Sequence, residues 1–171
     1  WPGAIFKRVT QRLDIKIHTQ KFRSPDDAMK ALDGVLSAGK PAGMLSSVYY
    51  LPYLPEAFRF HFNAHNLVSY GKEEGKYLIS DPVMEEVTTI LPEDLAKARF
   101  AKGTPEPNGF MYYIKQVPQR VDFSKAIQQG IRQTTFFMLS PPLPWFGNKA
   151  IPLLANKIRK YPQKLTERKA S

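Results

Sequence analysis

The chain has 171 residues, of which 43% are hydrophobic, and it contains 25 Lys and Arg, 15 Asp and Glu, 15 prolines and no cysteine. This length and apolar content predict one globular domain with a modest extension and exclude disorder along the whole chain. Without cysteine, the chain itself supplies no disulfide, thiolate metal site or cysteine nucleophile, and no apolar run is long enough to span a bilayer.

The excess positive charge lies at the two ends of the sequence. Residues 23–148 contain 13 Lys or Arg and 13 Asp or Glu, so the surplus belongs to residues 1–22 and 149–171. A nucleic-acid-binding module more often carries a basic face on its folded body, interleaved with stacking aromatic rings. We therefore expect no nucleic-acid partner.

Hydrophobic periodicity and turn residues predict a mixed α and β order. The first elements are a helix at 4–13, a strand at 14–22, a helix from the capping residue Ser24 to near Gly39, and a strand at 41–50. The proline-punctuated segment 51–55 predicts an irregular loop.

A β-hairpin follows, with strands at 65–71 and 76–82 around a polar turn at 72–75. The remaining predictions are a strand at 86–90, a helix beginning at Leu91 and Pro92, a strand at 110–114, a helix from Asp122 to Leu139 and a helix at 150–158. The prolines at 141–144 predict a boundary between a domain at 1–140 and a linker with a basic helix at 141–171.

The hairpin carries the strongest candidate for chemistry. Its turn lies almost midway between His65 and Asp81, so strand pairing brings the two near each other. Asp81 could accept a hydrogen bond from one ring nitrogen and leave the other as a general base for a nucleophile. The alternative is structural, because a histidine that opens a strand and an Asp-Pro that closes one are common at strand ends.

The segments 39–43, 49–53, 60–68 and 77–82 resemble the N-terminal domain of the butirosin biosynthesis protein H family. That family is similar to papain-like cysteine peptidases, particularly the bacteriocin-leader peptidases, in which a strand histidine is followed by an Asp-Pro that closes the next strand. The resemblance extends from Trp1 to about Phe146, and the residues from Gly147 onward are similar to the start of the helical domain in longer members. It implies an α+β fold with an antiparallel sheet packed by helices and a C-terminal helical extension.

The resemblance also implies a function. In natural-product biosynthesis, an acyl or aminoacyl group would move from a thioester on an acyl carrier protein to an amine, through a Cys-His-Asp apparatus. His65 and Asp81 match the histidine and carboxylate positions, while no residue of the chain matches the cysteine. Because the chain opens on Trp1 rather than Met, we expect a fragment whose cysteine lies upstream and whose helical domain continues downstream.

The same resemblance implies a cytoplasmic protein that needs no cofactor beyond the phosphopantetheine arm carrying the thioester. Further expectations rest on the residues themselves. Candidate substrate-binding residues are Tyr49, Tyr50, Tyr53, His61 and Asn63, although aromatic residues before a proline loop more often cover a core. His61 and His65 have His-x-x-x-His spacing, but they lie in a loop entering a strand without an obvious third ligand, so we predict no metal site.

Carrier proteins are usually acidic, so two basic segments are candidate docking surfaces: the helix with Lys7, Arg8 and Arg12, and the tail from Lys157 to Lys169. A second copy of the chain is a further candidate partner, which would make a homo-oligomer. The alternative function is a non-catalytic papain-like module that binds a carrier protein, a peptide or an anionic surface.

Overall fold

The structure is a computed structural model, which describes the backbone of residues 2–169 and the side chains of residues 3–162. Contacts divide the chain into two units, Trp1–Gln119 and Arg120–Ser171. Two sequence-based expectations involve residues outside this range: the expectation of a fragment, which rests on Trp1, and the docking surface proposed on the basic tail, whose side chains beyond residue 162 are not described.

The first unit has the mixed order that the sequence predicted. Its α-helices are α1 (Pro2–Leu13), α2 (Pro25–Ser37) and α3 (Pro92–Arg99). Its strands are β1 (Lys16–Gln20), β2 (Ala42–Ser46), β3 (His65–Glu73), β4 (Lys76–Ser80), β5 (Thr88–Ile90) and β6 (Met111–Gln116).

These strands form one antiparallel sheet in the order β1-β6-β2-β3-β4-β5. One face packs against α2 and α3, and its buried core includes Leu32, Met44, Leu67, Ile79, Leu95 and Met111. On the other face, Phe6 of α1 meets Tyr112 of β6 edge-on, with 4.6 Å between the ring centroids. The α+β class and the helix-packed antiparallel sheet are therefore confirmed.

The start of α2 follows from its local sequence, as predicted. The backbone N–H of Asp27 donates to the Ser24 hydroxyl oxygen at 3.4 Å, and Pro25 occupies the first turn. Asp26 and Asp27 place negative charge near the positive end of the helix. These features fix where the chain enters the helical layer over the sheet.

The strand predicted at 41–50 was too long. β2 ends at Ser46, and Val48–Tyr50 forms a short 3-10 turn instead. The reason is a change of hydrogen-bond partners, because the N–H of Ser47 donates to the Ala98 carbonyl at 2.9 Å and that of Val48 to the Phe62 carbonyl at 3.0 Å. The chain thus leaves the sheet directly after Ser46, the residue that pairs with His65.

The second unit contains α4 (Phe123–Leu139), a 3-10 turn at Gly147–Lys149, and α5 (Ala150–Lys169). The helix α4 starts where it was predicted, and Asp122 caps it, since its Oδ1 accepts from the Lys125 N–H at 2.8 Å. The boundary predicted between residues 140 and 141 lies inside this unit, between α4 and α5. Among the described helices, none is both long enough and apolar enough to cross a membrane.

Candidate active site

The hairpin of β3 and β4 contains an irregularity that decides which side chains share a face. Next to its turn, Glu73 pairs with Lys76 and Gly71 with Leu78, but the next pair is Ser69 with Ile79. Tyr70 is left without a partner in the ladder, which makes it the extra residue of a β-bulge. Beyond the bulge, the register of β3 against β4 is shifted by one residue.

This shift brings the two candidate residues to the same face. The register after the bulge, continued past the pair of Val68 and Ser80, places Asp81 opposite Leu67, on the helix-packed face that also holds His65. The register next to the turn, continued without a bulge, would place Asp81 opposite Val68 and turn it to the other face, because side chains alternate along a strand. The bulge is therefore what allows the two side chains to meet.

His65 and Asp81 form a close, buried pair. The His65 Nε2 lies 2.7 Å from the Asp81 Oδ2, and the exposed fractions of the two side chains are 10% and 0%. A carboxylate only accepts hydrogen bonds, so Nε2 carries the proton that is donated to it. Neutral His65 is thereby held with Nδ1 unprotonated, and Nδ1 is the atom that can take a proton from a nucleophile.

A tight turn fixes the Asp81 carboxylate. The Oδ1 accepts from the Val83 N–H at 2.9 Å, and the Asp81 carbonyl accepts from the Met84 N–H at 3.1 Å. Pro82 follows Asp81, and Asp followed by Pro is a favoured start of such a turn. The turn thus orients Oδ1 toward its own backbone and Oδ2 toward His65.

Tyr53 also binds the carboxylate. Its hydroxyl donates to the Asp81 Oδ2 at 2.8 Å, so that oxygen accepts from both Tyr53 and His65. Burial, and then the hydrogen bond and negative charge of Asp81, raise the pKa of Tyr53 well above the usual tyrosine value. Tyr53 therefore stays protonated and continues to donate throughout the neutral range.

The backbone of His65 is fixed by β2. Ser46 lies opposite His65 in the antiparallel pair, and the Ser46 hydroxyl lies 3.4 Å from the His65 carbonyl oxygen. Ser46 is fully buried. The histidine thus extends from a paired strand end, a more rigid support than a free loop.

The other candidate substrate-binding residues lie around the segment that precedes β3. The ring of His61 stacks on Tyr49 with 4.1 Å between the centroids, and Tyr50 meets Tyr49 edge-on at 5.0 Å. Tyr49 is 43% exposed, whereas Tyr50 packs partly buried against the core. Asn63 is buried, and its Nδ2 donates to the Lys102 carbonyl at 3.0 Å. Of the five candidates, Tyr53 is the one with a hydrogen bond to the His65–Asp81 pair.

The two histidines at His-x-x-x-His spacing make different contacts. His65 binds Asp81, and His61 stacks on Tyr49. Within the described residues, no group of three or more His, Cys, Asp or Glu side chains is arranged to hold a metal ion.

Comparison with known proteins identifies two family matches. Residues 1–82 match the family "Butirosin biosynthesis protein H, N-terminal", so the resemblance inferred from the sequence is confirmed over that range. His65 and Asp81 both lie within it. Residues 93–171 match a domain of unknown function, DUF4872.

A crystal structure of a C39-like peptidase from Bacillus anthracis is also similar to this chain. The alignment has 18% sequence identity and a TM-score of 0.45, and it covers 68% of this chain and 60% of the peptidase chain. No curated protein shows significant similarity to the sequence.

Proposed function

We propose that the chain supplies the general base and its orienting carboxylate to a cysteine-dependent acyltransferase. The enzyme would move an acyl or aminoacyl group from a carrier-protein thioester to an amine in natural-product biosynthesis. One observation carries the proposal: the buried Asp81 carboxylate lies 2.7 Å from the His65 Nε2 and leaves Nδ1 as the proton acceptor. The match to a biosynthesis family over residues 1–82 supports the class of reaction.

The proposed nucleophile is a cysteine thiol outside these 171 residues, which contain no cysteine. The His65 Nδ1 accepts the thiol proton, and the thiolate attacks the carbonyl carbon of the thioester. A new carbon–sulfur bond forms, the bond to the phosphopantetheine sulfur breaks, and His65 returns the proton to the departing thiolate. Asp81 stabilises the imidazolium that exists between these two proton transfers.

The second half of the reaction uses the same two side chains. The acceptor amine attacks the enzyme-bound thioester, and an amide bond forms as the bond to the cysteine sulfur breaks. His65 takes a proton from the attacking nitrogen and gives one to the cysteine thiolate, which restores the starting thiol. Neither half needs an oxidant, a reductant or a metal ion.

An acidic carrier protein is the proposed partner. Residues 120–171 contain ten Lys or Arg and two Asp or Glu, and residues 1–22 contain Lys7, Arg8 and Arg12. Positive surfaces of this kind raise the association rate with acidic proteins, and they do so most strongly at low salt. The charge distribution therefore supports a carrier-bound thioester as the acyl donor.

The test uses a polypeptide that joins this chain to the proposed cysteine, and it measures amide formation from an acyl-thioester. His65→Ala should lower the rate by about 10²–10⁴-fold, the range that general acid–base catalysis contributes. His18→Ala is the matched control, since His18 lies on β1 with its ring beside Tyr113 and should leave the rate unchanged. The thioester is offered both on a carrier protein and on free pantetheine, and the carrier form should be preferred.

Two results would contradict the proposal. If His65→Ala retained the wild-type rate, His65 would not be the base. If the wild type bound the acylated carrier protein but transferred nothing, the chain would instead belong to a non-catalytic carrier-binding module.

A further inference from the structure

We infer that Tyr53 is a positioning residue, which holds the Asp81 carboxylate in the orientation that keeps the His65 proton on Nε2. Its bearing on catalysis rests on the proposed function, but its effect on the protonation of the histidine does not. This role differs from that of a side chain lining a substrate channel, because the hydroxyl of Tyr53 is already engaged with Asp81.

The loop that carries Tyr53 is anchored on both sides of it. Leu51 and Leu54 are both buried in the core, and the Leu54 N–H donates to the Leu51 carbonyl at 3.1 Å. Pro52 and Pro55 restrict the backbone further by fixing their own φ angles. The irregular loop predicted from these prolines is thus a rigid support, and it directs the Tyr53 hydroxyl to a fixed point.

The fixed point is the oxygen that His65 uses. Asp81 has a fully buried side chain, and a buried carboxylate is costly unless hydrogen bonds stabilise its charge. The turn supplies one donor, the Val83 N–H, but it binds Oδ1. Apart from His65 itself, the donor to Oδ2 is the Tyr53 hydroxyl. The oxygen that faces His65 is therefore held by a group outside the turn.

Removing the Tyr53 hydroxyl should therefore change, through Asp81, which ring nitrogen of His65 carries the proton. In Tyr53→Phe, the Oδ2 loses a donor, and the negative charge of the carboxylate is less stabilised. The carboxylate can then rotate about the Cβ–Cγ bond of Asp81. Its hydrogen bond with Nε2 becomes less well aligned, so the tautomer with the proton on Nδ1 gains population. That tautomer cannot act as the base.

A matched control exists in the same unit. Tyr77 is buried, whereas Tyr53 is half-buried. Like Tyr53, Tyr77 donates its hydroxyl proton to a carboxylate oxygen, the Asp33 Oδ1, at 2.7 Å. Tyr77→Phe thus removes the same type of hydrogen bond without touching Asp81. A general loosening of the fold would affect both variants, whereas loss of positioning affects Tyr53→Phe alone.

The decisive measurement is nitrogen-15 NMR of the His65 ring in the 171-residue chain. Wild type and Tyr77→Phe should show mainly the form protonated on Nε2, and Tyr53→Phe should show a several-fold larger share of the form protonated on Nδ1. An equal tautomer ratio in all three proteins, or an equal change in both variants, would overturn the inference. If Tyr53→Phe does not fold, the wild type suffices: the Tyr53 hydroxyl proton should exchange slowly with water and show a nuclear Overhauser effect to the proton on the His65 Nε2, and absence of that effect refutes the contact.

A kinetic measurement extends the test to the joined polypeptide with its cysteine. Tyr53→Phe should lower kcat by roughly tenfold, a part of the general-base contribution, with KM unchanged. A raised KM at constant kcat would overturn the inference in favour of a substrate-lining role. A tautomer change in a protein whose wild type has no transferase activity would support the positioning role while rejecting the proposed function, so the two can fail separately.

Discussion

Replacement of Asp81 by Asn tests how the carboxylate is held. Three donors surround it: the Tyr53 hydroxyl and the His65 Nε2 meet Oδ2, and the Val83 N–H meets Oδ1. Asparagine has the same shape but only one acceptor oxygen, and its NH₂ group must face at least one of these donors. In Asp81→Asn, at least one donor therefore loses its acceptor.

The expected loss of stability follows from this mismatch. A buried donor without an acceptor costs about 1–3 kcal/mol, and the remaining bonds also lose the contribution of an ionised acceptor. Removing the charge relieves some desolvation of the carboxylate, which offsets part of the loss. We expect the free energy of unfolding of Asp81→Asn to fall by about 2 kcal/mol, given the size of these opposing terms.

Urea denaturation of the 171-residue chain measures this difference. Asp33→Asn is the control, because Asp33 also accepts from a tyrosine hydroxyl but its side chain is 44% exposed, so its loss should cost less than about 1 kcal/mol. Nitrogen-15 NMR on the same samples should show His65 with more of its proton on Nδ1 in Asp81→Asn. If Asp81→Asn unfolded at the wild-type urea concentration and kept the wild-type tautomer, the hydrogen-bond geometry assigned to Asp81 would be refuted.

Two further predictions concern the bulge and the two tyrosines that donate to carboxylates. Deleting Tyr70 removes the residue without a ladder partner, so His65 should keep its Nε2-protonated form, whereas deleting Val68 should turn His65 to the other face and abolish that form in the same NMR measurement. The reverse result would contradict the register. Burial also raises the pKa of Tyr53 and Tyr77, so above pH 10 the unfolded chain loses tyrosine protons that the folded chain retains, and stability must fall as the pH rises. Unfolding at a series of pH values should show a decline of up to about 1.4 kcal/mol per pH unit for each such tyrosine, and a smaller slope in Tyr77→Phe; equal slopes would contradict this assignment.

Local sequence was sufficient to predict most of the elements around the site. The cap at Ser24, the hairpin and the nearness of His65 and Asp81 all depend on residues close together in the chain. The end of β2 was predicted wrongly because it depends on distant partners, the carbonyls of Phe62 and Ala98. A pattern of small apolar residues cannot reveal which distant carbonyl an N–H will meet.

The bulge shows a subtler limit of sequence-based prediction. The turn pairs Glu73 with Lys76, and a regular ladder from there would pair odd-numbered residues of β4 with even-numbered residues of β3. The buried residues Leu67, Ser69 and Ile79 are all odd-numbered, so an extra residue is required between them and the turn. The sequence hides this conflict because Leu67-Val68 and Leu78-Ile79 are adjacent apolar pairs, which leave the inward face of each strand undetermined.

The structural explanation of Asp81, a residue that merely closes a strand, accounts for only part of its environment. A turn of this kind uses one carboxylate oxygen, as the bond from the Val83 N–H to Oδ1 does here. The other oxygen could then lie in water at no cost, yet the Asp81 side chain is fully buried and its Oδ2 accepts from two side chains on separate segments, His65 and Tyr53. Burying a carboxylate for a turn alone would destabilise the fold without a structural benefit. The proposed role of Asp81, to orient His65 for proton transfer, gives this burial a purpose.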